Sequence, residues 1–321
     1  MHYIEIVIRP LSDWMTPWQA DTLFGHLAWS IRYEEGEQAL KEWFDAYDEG
    51  GEPPIILSDG FVGRWLPRPM LPPVRRPDKP LLELEEAIEA KKRKSLRWID
   101  RDALIQGRYD DLDSLSDKGE PRESVVHHNV ISRYSHRSLN EDGLYAVEQY
   151  GLPEEETTIS IYARVKDDRE LERLKFHMER AGLVGFGKRK SVGMGRFEVE
   201  EYIARDAWFN RPDADAHMWL SHGVPAPHDP VHGCYRIDTK YGKLGDGLAT
   251  SGNPFKRPFT RLVPGSVFTG SNAHRNWSGR MLQNLAPAHP EVVQYAFALT
   301  LPLTVGEDRL AQMDFRFAGG F

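Results

Sequence analysis

The chain has 321 residues, 40% of them hydrophobic and 28% charged, which is enough for a buried core and for two modest domains. Its only cysteine, Cys234, excludes an intrachain disulfide and any zinc site built from several thiolates. No apolar run approaches the roughly 20 residues of a membrane-spanning helix, so we expect a cytoplasmic protein without membrane attachment. The net charge of −8 argues against nucleic acid as a ligand, but that average conceals a clustering of the cations.

The first 80 residues predict a strand, two helices and a second strand. Alternation from His2 to Ile8 indicates the first strand, and Thr16-Pro17-Trp18-Gln19 combines a capping box with proline at the first helical position. Apolar residues then recur at helical spacing from Leu23 to Tyr47. Ile55 to Leu57 indicates a short strand, and a proline-rich loop follows it.

Residues 80–120 are typical of an insertion. Residues 81–108 open with glutamates and turn basic between Lys91 and Arg97, the order that a helix dipole favours, and a solvated charged helix is the simplest interpretation. Residues 110–122 are polar and acidic without periodicity, so we expect a mobile loop there.

The next segment completes the predicted first domain, residues 1–203. Val125 to Ile131 and Leu144 to Tyr150 predict the two strands of a hairpin over residues 122–150, with a polar tip. A strand from Ile159, a helix from Leu171 and a strand from Phe197 follow, and this element order is that of a ferredoxin-like unit.

Residues 204–321 predict a second, smaller α+β domain. A loop rich in proline and histidine, from Arg211 to Gly233, precedes strand-like stretches. A short helix is expected near Met281, and the alternation from Tyr295 to Leu303 indicates a final strand.

The most informative stretch is Gly185 to Phe197, which lies between an amphipathic helix and a strand. It holds four glycines and four cations without an acid, and the residues that we expect to contact ligand are Gly187, Lys188, Arg189, Lys190, Ser191, Gly193, Gly195 and Arg196. Glycines allow a ligand to approach the backbone, and the cations favour a phosphodiester chain. The order helix, loop, strand fits neither an ATP-binding P-loop nor a dinucleotide fingerprint.

A glycine-rich loop after the last helix of a ferredoxin-like domain resembles the RAMP proteins of CRISPR systems. Within that superfamily the chain is similar to the family of the fourth Csm-series subunit of type III-A effectors. The similarity lies in Asp21-Thr22-Leu23-Phe24-Gly25-His26, Ser58-Asp59-Gly60-Phe61, Leu66-Pro67-Arg68-Pro69, His128-Asn129-Val130-Ile131-Ser132-Arg133, Gly187-Lys188-Arg189-Lys190-Ser191, Asn253-Pro254-Phe255-Lys256-Arg257-Pro258 and Gly265-Ser266-Val267-Phe268.

This resemblance implies an α+β protein of two ferredoxin-like (RRM-like) domains with a protruding hairpin thumb. It implies recognition of the 5′ tag of the guide RNA (crRNA), and docking on a large polymerase-type signature subunit and a backbone RAMP subunit. It implies neither catalysis nor a cofactor. Single-stranded bases are recognised by stacking and hydrogen bonds, so the candidates for base contacts in the thumb are His127, His128, Asn129, Arg133, Tyr134 and Arg137.

Three other interpretations remain open. Related RAMP proteins cleave guide precursors, and His26 could serve as a general base, although a lone histidine on a helix is more often structural. A zinc site could form from His217, His222, His228, His232 and Cys234, but no known zinc spacing is met. The basic loop could instead contact an acidic protein surface.

Large aromatic residues favour a subunit of a larger assembly. Trp14, Trp18, Trp29 and Trp65 are more large rings than one small core readily hides, so they could form an interface. The alternative is that they fill the space between the two domains.

Overall fold

The computed structural model describes residues 1–48, 51–73, 84–134, 136–137, 143–250, 252–270 and 275–313, and it shows an α+β protein, as predicted. Its strands are β1 (His2–Pro10), β2 (Ile55–Val62), β3 (Trp65–Pro67), β4 (Trp98–Asp100), β5 (Leu115–Ser116), β6 (Arg122–Asn129), β7 (Leu144–Gly151), β8 (Ile159–Val165), β9 (Phe197–Ala204), β10 (Ala216–Trp219), β11 (Gly233–Cys234), β12 (Ile237–Lys240), β13 (Phe259–Leu262), β14 (Val267–Thr269), β15 (Trp277–Leu282) and β16 (Gln294–Leu303). Its helices are α1 (Ala20–Glu34), α2 (Glu37–Asp48), α3 (Leu84–Ser95), α4 (Arg101–Ile105), α5 (Asp168–Val184), α6 (Asp206–Phe209) and α7 (Glu307–Met313), with 3₁₀ turns at Leu112–Ser114, Lys190–Val192 and Asp246–Thr250.

The first half of the chain is built on a four-stranded antiparallel sheet in the order β2-β8-β1-β9. With α1 between β1 and β2 and α5 between β8 and β9, the element order is the predicted one of a ferredoxin-like unit. Ile4, Ile6 and Ile8 lie on one face of β1 and are buried, as their alternation indicated. Tyr3 and Glu5, on the opposite face, are also buried, so both faces of this sheet are covered.

Helix α1 begins three residues later than the predicted capping box requires. Ala20 is its first residue, and the Ala20 amide donates to Oδ1 of Asp59 at 2.8 Å, so a carboxylate from β2 caps the helix. Thr16 does not cap it, because its hydroxyl accepts a hydrogen bond from the Lys188 amide at 3.0 Å. The prediction of a capping box at Thr16 was wrong because a partner distant in sequence takes its hydroxyl.

The insertion is more structured than its composition indicated. The predicted helix over 81–108 is interrupted after Ser95, because Asp100 caps a new helix by accepting the amides of Asp102 and Ala103 at 2.9 and 3.2 Å. Strand β4 lies between the two helices and pairs with β3 and β5. Leu115 of β5 is buried, so the expectation of a mobile loop over 110–122 was wrong at that position.

The second half of the chain centres on a five-stranded sheet in the order β11-β14-β10-β16-β15. The predicted final strand forms as β16, and every residue of it is buried. Strand β15 stands where a helix near Met281 was expected, since pairing with β16 overrides its local pattern. Strand β10 lies inside the segment predicted to be a loop rich in proline and histidine.

The hydrophobic core is continuous across the predicted boundary at residues 203 and 204. The Leu57 amide of β2 donates to the Tyr295 hydroxyl of β16 at 2.9 Å, and the Asp59 amide donates to the Leu220 carbonyl at 3.0 Å. Residues 204–313, in the part that is described, do not show the element order of a second ferredoxin-like unit. The two-domain layout therefore stays a prediction.

The tryptophans that were candidates for a docking surface contribute mainly to the core. Trp14 and Trp18 are 1% and 6% exposed, and Trp29 and Trp65 are partly buried. Trp18 packs inside the first half, against Phe186 and Phe197. Their number consequently gives no argument for assembly with other chains.

A buried carboxylate joins three segments beneath the first sheet. Glu5 of β1 is fully buried, and it accepts hydrogen bonds from Arg101 at 2.6 Å, from Nε of Arg205 at 2.7 Å and from the Ser160 hydroxyl at 2.7 Å. Arg101 belongs to the insertion and Arg205 follows β9, so one carboxylate fixes both segments to the central strand.

Replacing Glu5 with alanine should lower the free energy of unfolding by about 2 to 4 kcal/mol, since it removes the buried partner of two arginines that are themselves partly buried. Denaturant-induced unfolding measures this loss. The matched control is Glu198→Ala on β9, which removes an ion pair with Arg9 between largely exposed side chains and should have little effect. A Glu5 variant as stable as this control would contradict the proposed role of the carboxylate.

Candidate nucleic-acid interface

The glycine-rich loop, residues 185–196, begins where α5 ends. Gly185 caps the helix with φ of 98°, and its amide donates to the Ala181 carbonyl at 2.9 Å. Gly195 adopts φ of 69°, and a Cβ placed on it would come within 2.1 Å of the Phe186 carbonyl oxygen. The sequence needs glycine at 195 both for the left-handed backbone and for this close approach.

Hydrogen bonds to the chain before and within α1 hold the loop in place. The Gly187 amide donates to Nε2 of His26 at 2.9 Å, and the Gly195 amide donates to the Asp13 carbonyl at 2.9 Å. Phe186 is buried and stacks on Trp18 with ring centroids 4.0 Å apart. The amides of Gly187 and Gly195, two of the glycines expected to contact ligand, therefore donate to the protein itself.

At the apex of the loop, several backbone amides and side chains remain available to bind a ligand. The amides of Arg189, Lys190 and Ser191 have no acceptor among the described residues. Ser191 is exposed, and Gly193 follows it with φ of 90°. The apex thus combines amides that have no acceptor in the described part of the chain with the basic side chains of the loop.

The four cations of the loop do not have equal roles. Lys188 and Arg196 are exposed and have no ion-pair partner in the described part of the chain. Lys190 instead forms an ion pair with Asp246 at 2.6 Å, although it was predicted to face phosphate with its neighbours. Asp246 also accepts the Tyr33 hydroxyl, so this carboxylate ties the loop to α1.

Arg189 connects the loop to the predicted hairpin. Its guanidinium lies 5.6 Å from the ring centroid of Tyr145 and donates to the Tyr145 hydroxyl at 3.3 Å. The ring of His128, on the neighbouring strand of the hairpin, stacks on the ring of Tyr145 with centroids 5.4 Å apart. Sequence reasoning missed Tyr145, which only the register His128↔Tyr145 reveals.

The hairpin itself forms from β6 and β7, paired antiparallel from Arg122↔Gly151 to Asn129↔Leu144. Because side chains alternate between the faces of a strand, His127 and Asn129 lie on the face opposite His128. Arg133 and Arg137 lie beyond the strands and are exposed. Residue 135 and residues 138–142 of the predicted tip lie outside the described residues.

The root of the hairpin and the loop share one segment of the chain. Trp14 and Tyr150 exchange backbone hydrogen bonds of 2.9 and 2.7 Å, and Gln149 donates to Oδ2 of Asp13 at 2.7 Å. The Asp13 carbonyl accepts from Gly195, as described above, so the two candidate segments are positioned relative to each other by residues 13 and 14.

The geometry gives His26 a structural role. Burial lowers the pKa of His26 to about 4, and the nearby charge of Lys190 lowers it as well. The neutral ring accepts the Gly187 amide at Nε2, so the lone pair that a general base would use is already engaged.

The five residues considered for zinc do not assemble. His217 is buried on β10, and His222 bonds Asp59 with Nδ1 at 2.5 Å. In the described part of the chain, which includes all five, no group of three or more histidine, cysteine or acidic side chains could hold a metal ion.

Among the helices of the described residues, none combines the length and the apolar character that crossing a membrane requires.

Comparison with known proteins places this geometry in a structural context. No family model matches the chain, and no curated protein matches it. A chain from the crystal structure of a Csm1–Csm4 cassette in complex with cA4 superposes with a TM-score of 0.61 and 18% identity, over 96% of this chain and 100% of that one. The fold is that of a chain from this cassette.

A second solved structure agrees. A chain from the Csm3–Csm4 subcomplex of the type III-A CRISPR-Cas interference complex superposes with a TM-score of 0.59 and 14% identity, over 94% of this chain and 99% of that one. The resemblance predicted from the sequence is thus confirmed at the level of the fold. Nearly the whole length is matched, so the similarity extends well beyond the ferredoxin-like unit.

His26→Gln and His26→Ala should separate the acceptor role of His26 from its bulk. An amide oxygen at position 26 can accept the Gly187 hydrogen bond, so we expect the glutamine variant to keep a protected Gly187 amide and the alanine variant to lose it. Amide hydrogen exchange at Gly187 measures this. Equal protection in the two variants would contradict the acceptor role.

The pH dependence of the free energy of unfolding provides a second test of the hydrogen bond between His26 and Gly187. Since the pKa of His26 is about 4 when folded and about 6.5 when unfolded, the unfolded chain binds the extra proton between these values. The wild type should therefore lose roughly 1 to 3 kcal/mol as the pH falls from 7 to 4, in addition to losses at other groups. His26→Gln should lack that increment. An identical pH profile in both proteins would contradict the assignment.

Proposed function

We propose that this chain is a non-catalytic RNA-binding subunit of a type III-A CRISPR effector complex, and that it binds the 5′ tag end of the crRNA. The contact that supports this proposal most directly is that of Arg189 with Tyr145, whose ring stacks on His128, because it joins a basic loop and a hairpin into one surface. The shared fold with a chain of the type III-A assemblies gives this surface its biological context.

On this surface the loop would hold the RNA backbone. Lys188, Arg189 and Arg196 supply positive charge that is open to solvent, and the amides of residues 189–191 supply hydrogen-bond donors beside them. Phosphate groups use both kinds of contact, which fix the path of the RNA without selecting its sequence.

The hairpin would contact the bases. His128 and Tyr145 form a stacked pair of rings beside the loop, and an unpaired base would extend that stack. Arg133 and Arg137 at the far end are exposed and could reach further phosphates. His127 and Asn129, on the opposite face, would meet RNA only if it passed over the end of the hairpin.

The subunit would bridge two different partners. The similar chains come from a Csm1–Csm4 cassette and a Csm3–Csm4 subcomplex, so one assembly pairs Csm4 with Csm1 and the other pairs it with Csm3. By that analogy we propose a large polymerase-type signature subunit on one side and a backbone RAMP subunit on the other. The cytoplasmic location stays a prediction.

The proposal is tested by removing the open cations together, in Lys188→Ala/Arg189→Ala/Arg196→Ala. Affinity for tagged guide RNA should fall, and the slope of log K against log salt concentration should decrease in magnitude by about 2, at roughly 0.7 per phosphate contact on a single strand. Fluorescence anisotropy across a salt series measures both quantities.

Lys190→Ala is the matched control, because Lys190 is already neutralised by Asp246. It should leave the salt slope nearly unchanged, while the removal of its ion pair loosens the loop. A triple variant with wild-type affinity and slope would refute the role of the loop, and an effect of Lys190→Ala on the slope as large as that of the triple variant would refute the distinction between the cations.

A further inference from the structure

A second basic and aromatic surface lies on the arm, which we define as residues 237–262. Its base is the antiparallel pair of β12 and β13, and an isolated bridge between Lys243 and Phe255 extends the pairing. The 3₁₀ turn at Asp246–Thr250 forms its end. Residue 251 lies outside the described residues.

One face of the arm is packed against the protein. Leu244 is buried, and Lys256 donates to the side chain of Gln294 at 2.8 Å. Burial lowers the pKa of Lys256 to about 8, which agrees with an inward-facing ammonium group. Lys240 also turns inward, because its ammonium group lies 2.6 Å from Oε1 of Gln19.

The other face is open and carries two aromatic rings with two cations. Tyr241 and Phe255 are 78% and 63% exposed, and Lys243 and Arg257 are exposed beside them. Along the two segments of the arm, these four residues alternate with Gly242, Leu244 and Lys256. Their side chains therefore lie together on the outward face of the arm. The ammonium group of Lys243 lies 5.8 Å from the ring centroid of Phe255.

The charge of the arm is opposite to that of the whole chain. Residues 237–262 contain five lysines and arginines and two aspartates, in a protein of net charge −8. Both aspartates are paired: Asp238 accepts Arg261 at 2.8 Å, and Asp246 accepts Lys190. The outward face therefore presents positive charge without a competing carboxylate on the arm.

The arm is continuous with the candidate interface. The ion pair from Asp246 to Lys190 joins the end of the arm to the glycine-rich loop directly. The end of the arm is therefore adjacent to the loop, so a single RNA strand would be able to contact both.

We propose that the outward face of the arm is a second contact surface for the same single-stranded RNA. Tyr241 and Phe255 would stack on unpaired bases, while Lys243 and Arg257 would contact phosphates. Alternating rings and cations are the arrangement by which proteins bind single strands without regard to sequence. A docking surface for protein would have an apolar centre with the charges at its rim, whereas here the cations lie between the rings.

The experiment compares Tyr241→Ala/Phe255→Ala with wild type on single-stranded RNAs of increasing length that carry the tag. For RNAs long enough to reach the arm, the double variant should bind about tenfold or more weakly, since each stacked base contributes to affinity. For the shortest RNAs that bind the loop, affinity should equal that of wild type. Phe176→Ala, which removes a ring that is 45% exposed on α5, is the matched control.

This inference rests on the proposed function, and the outcomes separate the two. If the wild type binds none of these RNAs, the proposed function fails, and the inference fails with it. If wild type and Phe176→Ala bind and the double variant binds equally well at every length, the inference alone is overturned. It is overturned too if the double variant keeps its RNA affinity but no longer copurifies with a partner subunit, because the face would then bind protein.

Discussion

The hydrogen bond from the Gly187 amide to the neutral ring of His26 is the contact on which the candidate interface depends. It joins the first long helix to the loop that follows the last helix of the ferredoxin-like unit. Burial keeps the ring neutral, so the acceptor persists at physiological pH. With Phe186 stacked on Trp18 beneath it, the loop is held at its base while its apex stays open. Such preorganisation lowers the entropy that an RNA ligand would have to offset on binding.

A protein of net charge −8 can still present a basic surface, because its cations are used in two ways. Some are consumed inside the fold: Arg101 and Arg205 neutralise Glu5, and Lys190 neutralises Asp246. Others, Lys188 and Arg196 among them, remain open. A polyanion would contact only the cations that remain open. Net charge and even local composition are therefore poor guides to the binding surface.

Much of the architecture follows from local pattern, and the errors have a common cause. The alternation in β1 and β16, the hairpin strands and the position of the glycine-rich loop are all visible in the sequence, because each is decided by neighbours along the chain. Thr16 and the strand at Met281 were mispredicted because their partners lie far away in sequence, at Lys188 and β16. The ion pair of Lys190 with Asp246 was not foreseen for the same reason. The contact of Arg189 with Tyr145 depends on the register of the hairpin. The arm lies next to the glycine-rich loop because Asp246 pairs with Lys190, and the sequence around either residue does not indicate this pairing.

In the proposed function, the glycine-rich loop and the hairpin together bind the tag end of a guide RNA. Amide hydrogen exchange, measured with tagged guide and with a tagless control of equal length, tests it most directly, since each segment is then monitored by its own peptides. We expect tagged RNA to slow exchange in both residues 185–196 and residues 122–151, and the tagless control to protect the hairpin less. Equal protection of the hairpin by both RNAs, or protection confined to segments away from the loop, would contradict it.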